Sequence, residues 1–255
     1  MNALKDTWYI TLRDLRTRIR MPVFIFMSLS QPILFLLLFP QIFKSVGSSM
    51  FAGGTSYLQF FTPGVLVMTV LFSAMFSGMS TIMDIDTGIL SRMLATPVTR
   101  ISIIMGRILA TVAVILVQAA IVLVIAVILG VDIKTGVGGT LLILLLIGLL
   151  GLGIAAFSDG LAILLKRHEP LMAVTNVVTM PLMFLSTMMM PFDLLPNWLK
   201  TVTHFNPIDY TIVGVRDLVL TGYVWHDLWR SFAVLGGIAV VMIIFATLMF
   251  RRRAE

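Results

Sequence analysis

Asp159 is the residue best placed to do chemistry. It is the one carboxylate set clearly inside a long apolar run, 141–165. Insertion scales put the cost of a charged side chain at the bilayer centre at about 2.5–3.5 kcal/mol, so such a group needs a function or a partner. Two uses are open. Asp159 can carry a proton or an ion, or it can form an intramembrane ion pair, for which Arg107 in the apolar run 102–129 is the candidate. Asp159 stands within two turns of Lys166 and Arg167, at the end of its run, which favours the structural pair. Arg107 lies in the first turns of its own run and should snorkel to the interface. An ion-driven pump would show several polar groups or broken helices at the midplane. The apolar runs here are mostly featureless there.

Other chemistries are excluded by what the chain lacks. There is no cysteine, so disulfides, thiolate metal sites and cysteine nucleophiles are out. His168, His204 and His226 fall in loops far apart and read as solvated or interfacial, not as metal ligands. No Gly-Lys dipeptide occurs, which removes the phosphate-binding loop, and neither H-E-x-x-H nor G-x-S-x-G is present. Gly151-Leu152-Gly153-Ile154-Ala155-Ala156 matches the dinucleotide pattern G-x-G-x-x-A, but it lies inside an apolar helix with no strand before it. It reads as a face for close helix packing. Met188, Met189 and Met190 read as adaptable packing. The chain is not expected to be an enzyme.

The elements that must position these residues are membrane helices. The 255-residue chain is 59% hydrophobic and 12% charged, where soluble domains carry about 25% charge. An all-α polytopic membrane protein follows. The net charge of +6 sits beside the apolar runs, the pattern of topology-setting charge, so nucleic acid is rejected as a partner. Six spans are expected, at about 23–43, 60–83, 102–129, 141–165, 171–190 and 231–250. Gln31-Pro32 should kink the first. Ser73, Ala74, Ser77 and Gly78 offer the second a small-residue face. Between the last two spans, stripes at Leu194, Leu195, Trp198, Leu199 and Val202, and at Ile208, Ile212, Val215 and Val219, predict re-entrant or interfacial helices. Ahead of the first span, Leu4, Trp8, Leu12, Leu15 and Ile19 form one face of a helix flanked by Lys5, Arg13, Arg16 and Arg20. This predicts a helix lying in the interface with its cations at lipid phosphates. No small-x-small cleavage site follows, so the first span reads as retained. Thirteen Lys and Arg fall on one side and five, Lys44 among them, on the other. The basic side is expected to be cytoplasmic, with both termini inside. The chain reads as one domain: an interfacial helix at 1–21, a bundle at 22–250 and a basic cytoplasmic tail at 251–255.

The longest charged break on the basic side runs from Asp84 to Ser102. Ile85, Ile89, Leu90, Met93 and Leu94 give it the stripe of a short helix. Thr96 precedes Pro97 and should end that helix, and Thr99 can cap the next. Such a helix either faces lipid or serves as a docking knob, and periodicity does not choose between them.

Three features together resemble the membrane subunit of type-2 ATP-binding-cassette (ABC) transporters, in particular the drug-resistance and polysaccharide-export permeases. They are the basic amphipathic helix before the first span, the stretch Asp86-Thr87-Gly88-Ile89-Leu90-Ser91-Arg92-Met93-Leu94-Ala95-Thr96-Pro97-Val98-Thr99-Arg100, and Asn206-Pro207 followed by Arg216 and Gly222. The resemblance covers essentially the whole chain. One departure is Asp84-x-Asp86, where relatives often carry Glu or Arg-Glu beside the Gly. The resemblance implies a permease with no nucleotide site of its own, with ATP and magnesium held by a separate ATPase present in two copies. It implies a second permease subunit, as a homodimer, in the inner (plasma) membrane. It implies that the short cytoplasmic helix docks in the ATPase through Asp84, Asp86 and Gly88, through Leu90, Met93 and Leu94 buried against the partner, and through Thr96-Pro97. It further points to Phe72, Met75, Met183 and Phe184 along the substrate pathway. The expected function is outward movement of a hydrophobic or amphipathic compound, such as a drug or a lipid-linked or glycan-like molecule. The alternatives are a stand-alone proton- or ion-coupled transporter and a non-transporting membrane scaffold.

Overall fold

The computed structural model describes residues 3–20, 22–43 and 56–253, and the helices number α1 to α10 in chain order. They are α1 (Ala3–Ile19), α2 (Pro22–Ile42), α3 (Tyr57–Asp86), α4 (Ile89–Leu94), α5 (Arg100–Ile128), α6 (Gly136–Leu165), α7 (His168–Phe184), α8 (Asn197–Thr203), α9 (Pro207–Leu220) and α10 (Trp225–Arg253). There is no strand among the described residues. Lys44, expected in the first outer loop, lies outside them. Five helices, α2, α3, α5, α6 and α10, are long and apolar enough to cross a bilayer. At about 1.5 Å per residue, α3, α5 and α6 are each about 44 Å long, against a hydrocarbon core of about 30 Å. Part of each therefore projects beyond the core.

The helix starts follow from local chemistry. Ser56 and Gln59 close a capping box on α3, each side chain taking the other's backbone N–H. Thr99 caps α5 by accepting from the Ser102 N–H at 3.3 Å. Asn206 caps α9, with Pro207 in its first turn. α3 is the central helix. Phe61, Val65, Leu66 and Met68 are wholly buried and share one core with Ile143 and Ile147 of α6 and Ile212 and Val215 of α9. The small residues do the packing expected of them. A Cβ on Gly78 would come within 2.5 Å of Ser158 Oγ, so α3 and α6 touch through backbone there, and a Cβ on Gly160 would strike Phe245 of α10. At the Tyr57 end of α3, Phe39 stacks on Phe61 and Phe43 on Tyr57, joining α2 to α3.

The fifth span differs from expectation. Instead of running to Met190, α7 ends at Phe184 and is too short to count with the long helices. The helix runs through Pro181, and beyond it the Asn206 amide donates to the carbonyls of Leu182 (2.7 Å) and Leu185 (2.9 Å), acceptors that a longer helix would use for its own ladder. The chain then turns through a short 3-10 segment, Phe192–Leu194, and α8 before α9. The stripe expected over 194–202 is split at Pro196, leaving Leu194 and Trp198 exposed. The second stripe is real: Ile208, Ile212, Val215 and Val219 are all wholly buried. Gly222 closes α9 at φ 125°, its N–H donating to Asp217 O at 2.7 Å. The Pro32 helix, α2, continues through the proline.

Candidate functional site

α1 has two working faces. Leu4, Trp8 and Ile19 are exposed, and Leu12 and Leu15 half-buried, which leaves the apolar stripe outward. The other face, Ile10, Thr11 and Asp14, is buried on the bundle. Ala3 O accepts from Ser102 Oγ at 3.1 Å, Ile10 lies against Gly106, and Arg18 reaches Thr111. α1 thus runs alongside the first turns of α5, and its own charges enter the interior.

Those charges complete a polar cluster between α1, α3, α5 and α6. Arg107 is wholly buried. It does not snorkel, because α1 covers it and carboxylates surround it. Its guanidinium pairs with Asp84, with Asp14 at 3.7 Å, and donates to Thr81 Oγ1 at 2.9 Å. Arg13 reaches Asp84 at 3.4 Å and Met93 Sδ at 2.7 Å, so one acidic residue at the foot of α3 is held from both α1 and α5. Asp159, 1% exposed, accepts from Thr81 Oγ1 at 2.8 Å and Ser77 Oγ at 3.0 Å. The direct Asp159–Arg107 pair expected from the sequence is replaced by a relay: Arg107 donates to Thr81, and Thr81 donates to Asp159. The physical reason is competition, since Asp84 and Asp14 already occupy the guanidinium. Arg18 donates to Thr111 (2.9 Å) and Ser77 (3.3 Å). Burial pulls the Arg18 guanidinium below its ordinary value, and Asp159 pulls it back.

α4 leaves this cluster directly. Gly88, at φ 70°, makes the left-handed turn that a side chain would strain. Leu90 is wholly buried, but inside its own chain, in a core with Ile10, Ile103 and Ile104. It is therefore not free to bury against a partner. A helix of six residues needs one apolar anchor, and Leu90 is that anchor. Asp84 is likewise committed, to Arg13 and Arg107. Asp86, Ser91, Arg92, Thr96 and Pro97 are exposed, and Met93 and Leu94 half-buried. Beside them, α1 and α4 flank an apolar groove of about 470 Å³ lined by Ile10, Ile89, Met93 and Val98.

Two further polar clusters were not read from the sequence. Gln118 of α5 donates to Ser28 Oγ of α2 at 2.7 Å and accepts from Ser73 of α3, all three buried. At the opposite end, Thr187 donates to Asp209 through both N–H (2.8 Å) and Oγ1 (2.6 Å). Arg216 donates to Thr187 O at 2.7 Å and lies 3.9 Å over the Phe60 ring. The residues expected along the pathway differ in burial. Phe72 and Met183 pack on the main core, Met75 is half-buried and Phe184 is 64% exposed.

A bundle of long apolar helices, all-helical among the described residues, defines a polytopic membrane protein. Comparison with known proteins gives its family. The profile of the ABC-2 type transporter family matches residues 5–220, and the chain belongs to that family. The ycf38 transport permease of Cyanophora paradoxa is 34% identical over 203 residues, covering 78% of this chain and 69% of its own length. That of Porphyra purpurea is 30% identical over 198 residues, covering 77% and 68%. The daunorubicin resistance ABC transporter permease protein DrrB1 of Streptomyces coeruleorubidus is 26% identical over 221 residues, covering 86% and 76%. The chain is thus a membrane transport subunit of the ABC type.

Proposed function

We propose that the chain is the permease half of an ATP-driven exporter. It moves a hydrophobic or amphipathic compound outward while a separate ATPase, present in two copies, supplies ATP and magnesium. A second copy of the permease completes the pathway, in the plasma membrane with both termini cytoplasmic. The observation that carries this reading is α4: a short helix fixed to the bundle by Leu90 and turned outward at Gly88. Docking falls to its outer face, Asp86, Arg92, Thr96 and Pro97, with the edges of Met93 and Leu94. A packed helix transmits displacement with little compliance, so closure of the ATPases tilts α3 and α5 through Asp84 and Arg107. The resistance function in the name of DrrB1 supports a drug-like or amphipathic cargo and export as the direction.

The test is copurification with an ABC-type ATPase subunit coexpressed from the same genome, followed by ATP-dependent transport in vesicles. Arg92→Glu, on the exposed face, is expected to lower ATPase retention and transport at least tenfold while the permease stays folded in the membrane. Undiminished transport by that variant, or transport by the chain with no ATPase present, would sink the proposal. An ion-driven reading would instead require Asp159, and full transport by Asp159→Asn counts against it.

A further inference from the structure

A cavity of about 220 Å³ lies between α1, α2, α3 and α5 and reaches Ile89 of α4, which also lines the α1–α4 groove on its other side. Its wall runs along α3 from Ser73 to Thr87, about 21 Å at the helical rise. It is long for its volume, which falls below the roughly 300–1,000 Å³ of pockets for drug-sized ligands. The shape suits a single chain better than a fused-ring body. Ile25, Met79, Met83 and Val114 make the lining mostly apolar. The hydroxyl and amide groups at the deep end, Ser28, Ser73 and Gln118, are bonded to one another.

Two charged groups face this cavity, Arg18 and Asp84. Asp84 is already held between Arg13 and Arg107. Arg18 differs from those arginines. Among the described residues no carboxylate lies within 4.0 Å of it, its donors go only to the neutral hydroxyls of Thr111 and Ser77, and its Nε–H has no partner. Asp159 stands behind Ser77 and Thr81, which take its Oδ1, and does not line the cavity. Arg18 also sits where α1 climbs beside α5, at the charged end of the spans. A ligand's polar end can rest there while its tail follows Ile25 and Val114 into the apolar part of the bundle.

The geometry points to a binding site for a single-chain amphiphile with an anionic head, in which Arg18 supplies the counter-charge. A guanidinium fork matches phosphate, sulfonate or carboxylate oxygens in a way no hydroxyl does. The site would receive cargo from the inner leaflet. This rests on the exporter reading only for what happens after binding.

The experiment uses the full chain in phosphatidylcholine nanodiscs, without any ATPase, so its failure leaves the coupling proposal standing and the reverse also holds. Because the chain has no cysteine, Thr87→Cys gives a single labelling point at the rim for an environment-sensitive fluorophore. Dodecyl phosphate should shift the label saturably at a mole fraction at least tenfold below that needed with dodecyltrimethylammonium. Arg18→Gln should erase that preference, while Arg18→Lys and Arg16→Gln, the latter at an exposed position, should keep it. Equal response to the two amphiphiles, or a preference that survives Arg18→Gln, overturns the proposal. If Arg18→Gln fails to fold, the comparison of the two amphiphiles on the otherwise unaltered chain decides alone. Inorganic phosphate producing the same saturable shift would also overturn it, by showing a free-anion site with no use for the tail.

Discussion

Arg107 and Asp84 should behave as one unit. Arg107→Met removes a wholly buried guanidinium and leaves Asp84 and Asp14 without their inner partner. Breaking a buried ion pair from one side costs about 3–5 kcal/mol. Two features reduce that here. The Asp84 side chain keeps 15% of its surface exposed, and Arg13 remains 3.4 Å from it and 3.7 Å from Asp14. The expected loss is therefore about 2–3 kcal/mol for Arg107→Met and about 1–2 kcal/mol for Asp84→Asn, which retains an acceptor oxygen. Once either partner is gone, the second change has less to remove, so the double variant should fall short of the sum by about 1–2 kcal/mol. Unfolding of the purified chain in mixed micelles, followed by circular dichroism against denaturant, gives all three values, provided the slope is unchanged. Additivity within about 0.5 kcal/mol would refute the claim that this contact joins α5 to the foot of α3.

The remaining predictions concern packing. Gly78→Ala should destabilise by about 1–3 kcal/mol, because the new methyl meets Ser158 Oγ at 2.5 Å and Ser158 O at 2.7 Å, whereas Gly236→Ala, with open space around it, should be neutral or slightly stabilising; equal melting temperatures for the two would contradict the α3–α6 approach. Asn206→Ala removes the cap of α9 and both bonds to the end of α7, and should cost about 2–4 kcal/mol. Amide exchange should then rise at Ile208 and through 185–191, and unchanged protection there would count against the tie.

The sequence was most informative where one periodicity served one environment. The stripe 208–219 and the long spans were legible because burial on a helix has a fixed spacing. The end of α7 was not, because apolar residues continue to Met190 and the break depends on an amide at 206, far along the chain. α1 was half legible. Its outward stripe was found, but Ile10, Asp14 and Arg18 share the opposite face at the same spacing, and a mixed face of that kind announces two environments rather than one. Leu90 had the right period and the wrong neighbour, since periodicity shows that a residue is buried and not against which chain. Gln118 was findable in principle as the lone amide in an apolar span. Its partners on α2 and α3 were not.

The placement of α1 has a consequence for biosynthesis. Arg13 and Arg18 emerge from the ribosome before their partners on the other helices, with Asp84 following 71 residues after Arg13 and Thr111 following 93 residues after Arg18. At translation speeds of about 5–20 residues per second, that interval is roughly 4–20 s. During it the first helix must wait at the headgroups, its cations held by lipid phosphate, and it enters the bundle only when the later spans exchange those phosphates for aspartates and hydroxyls.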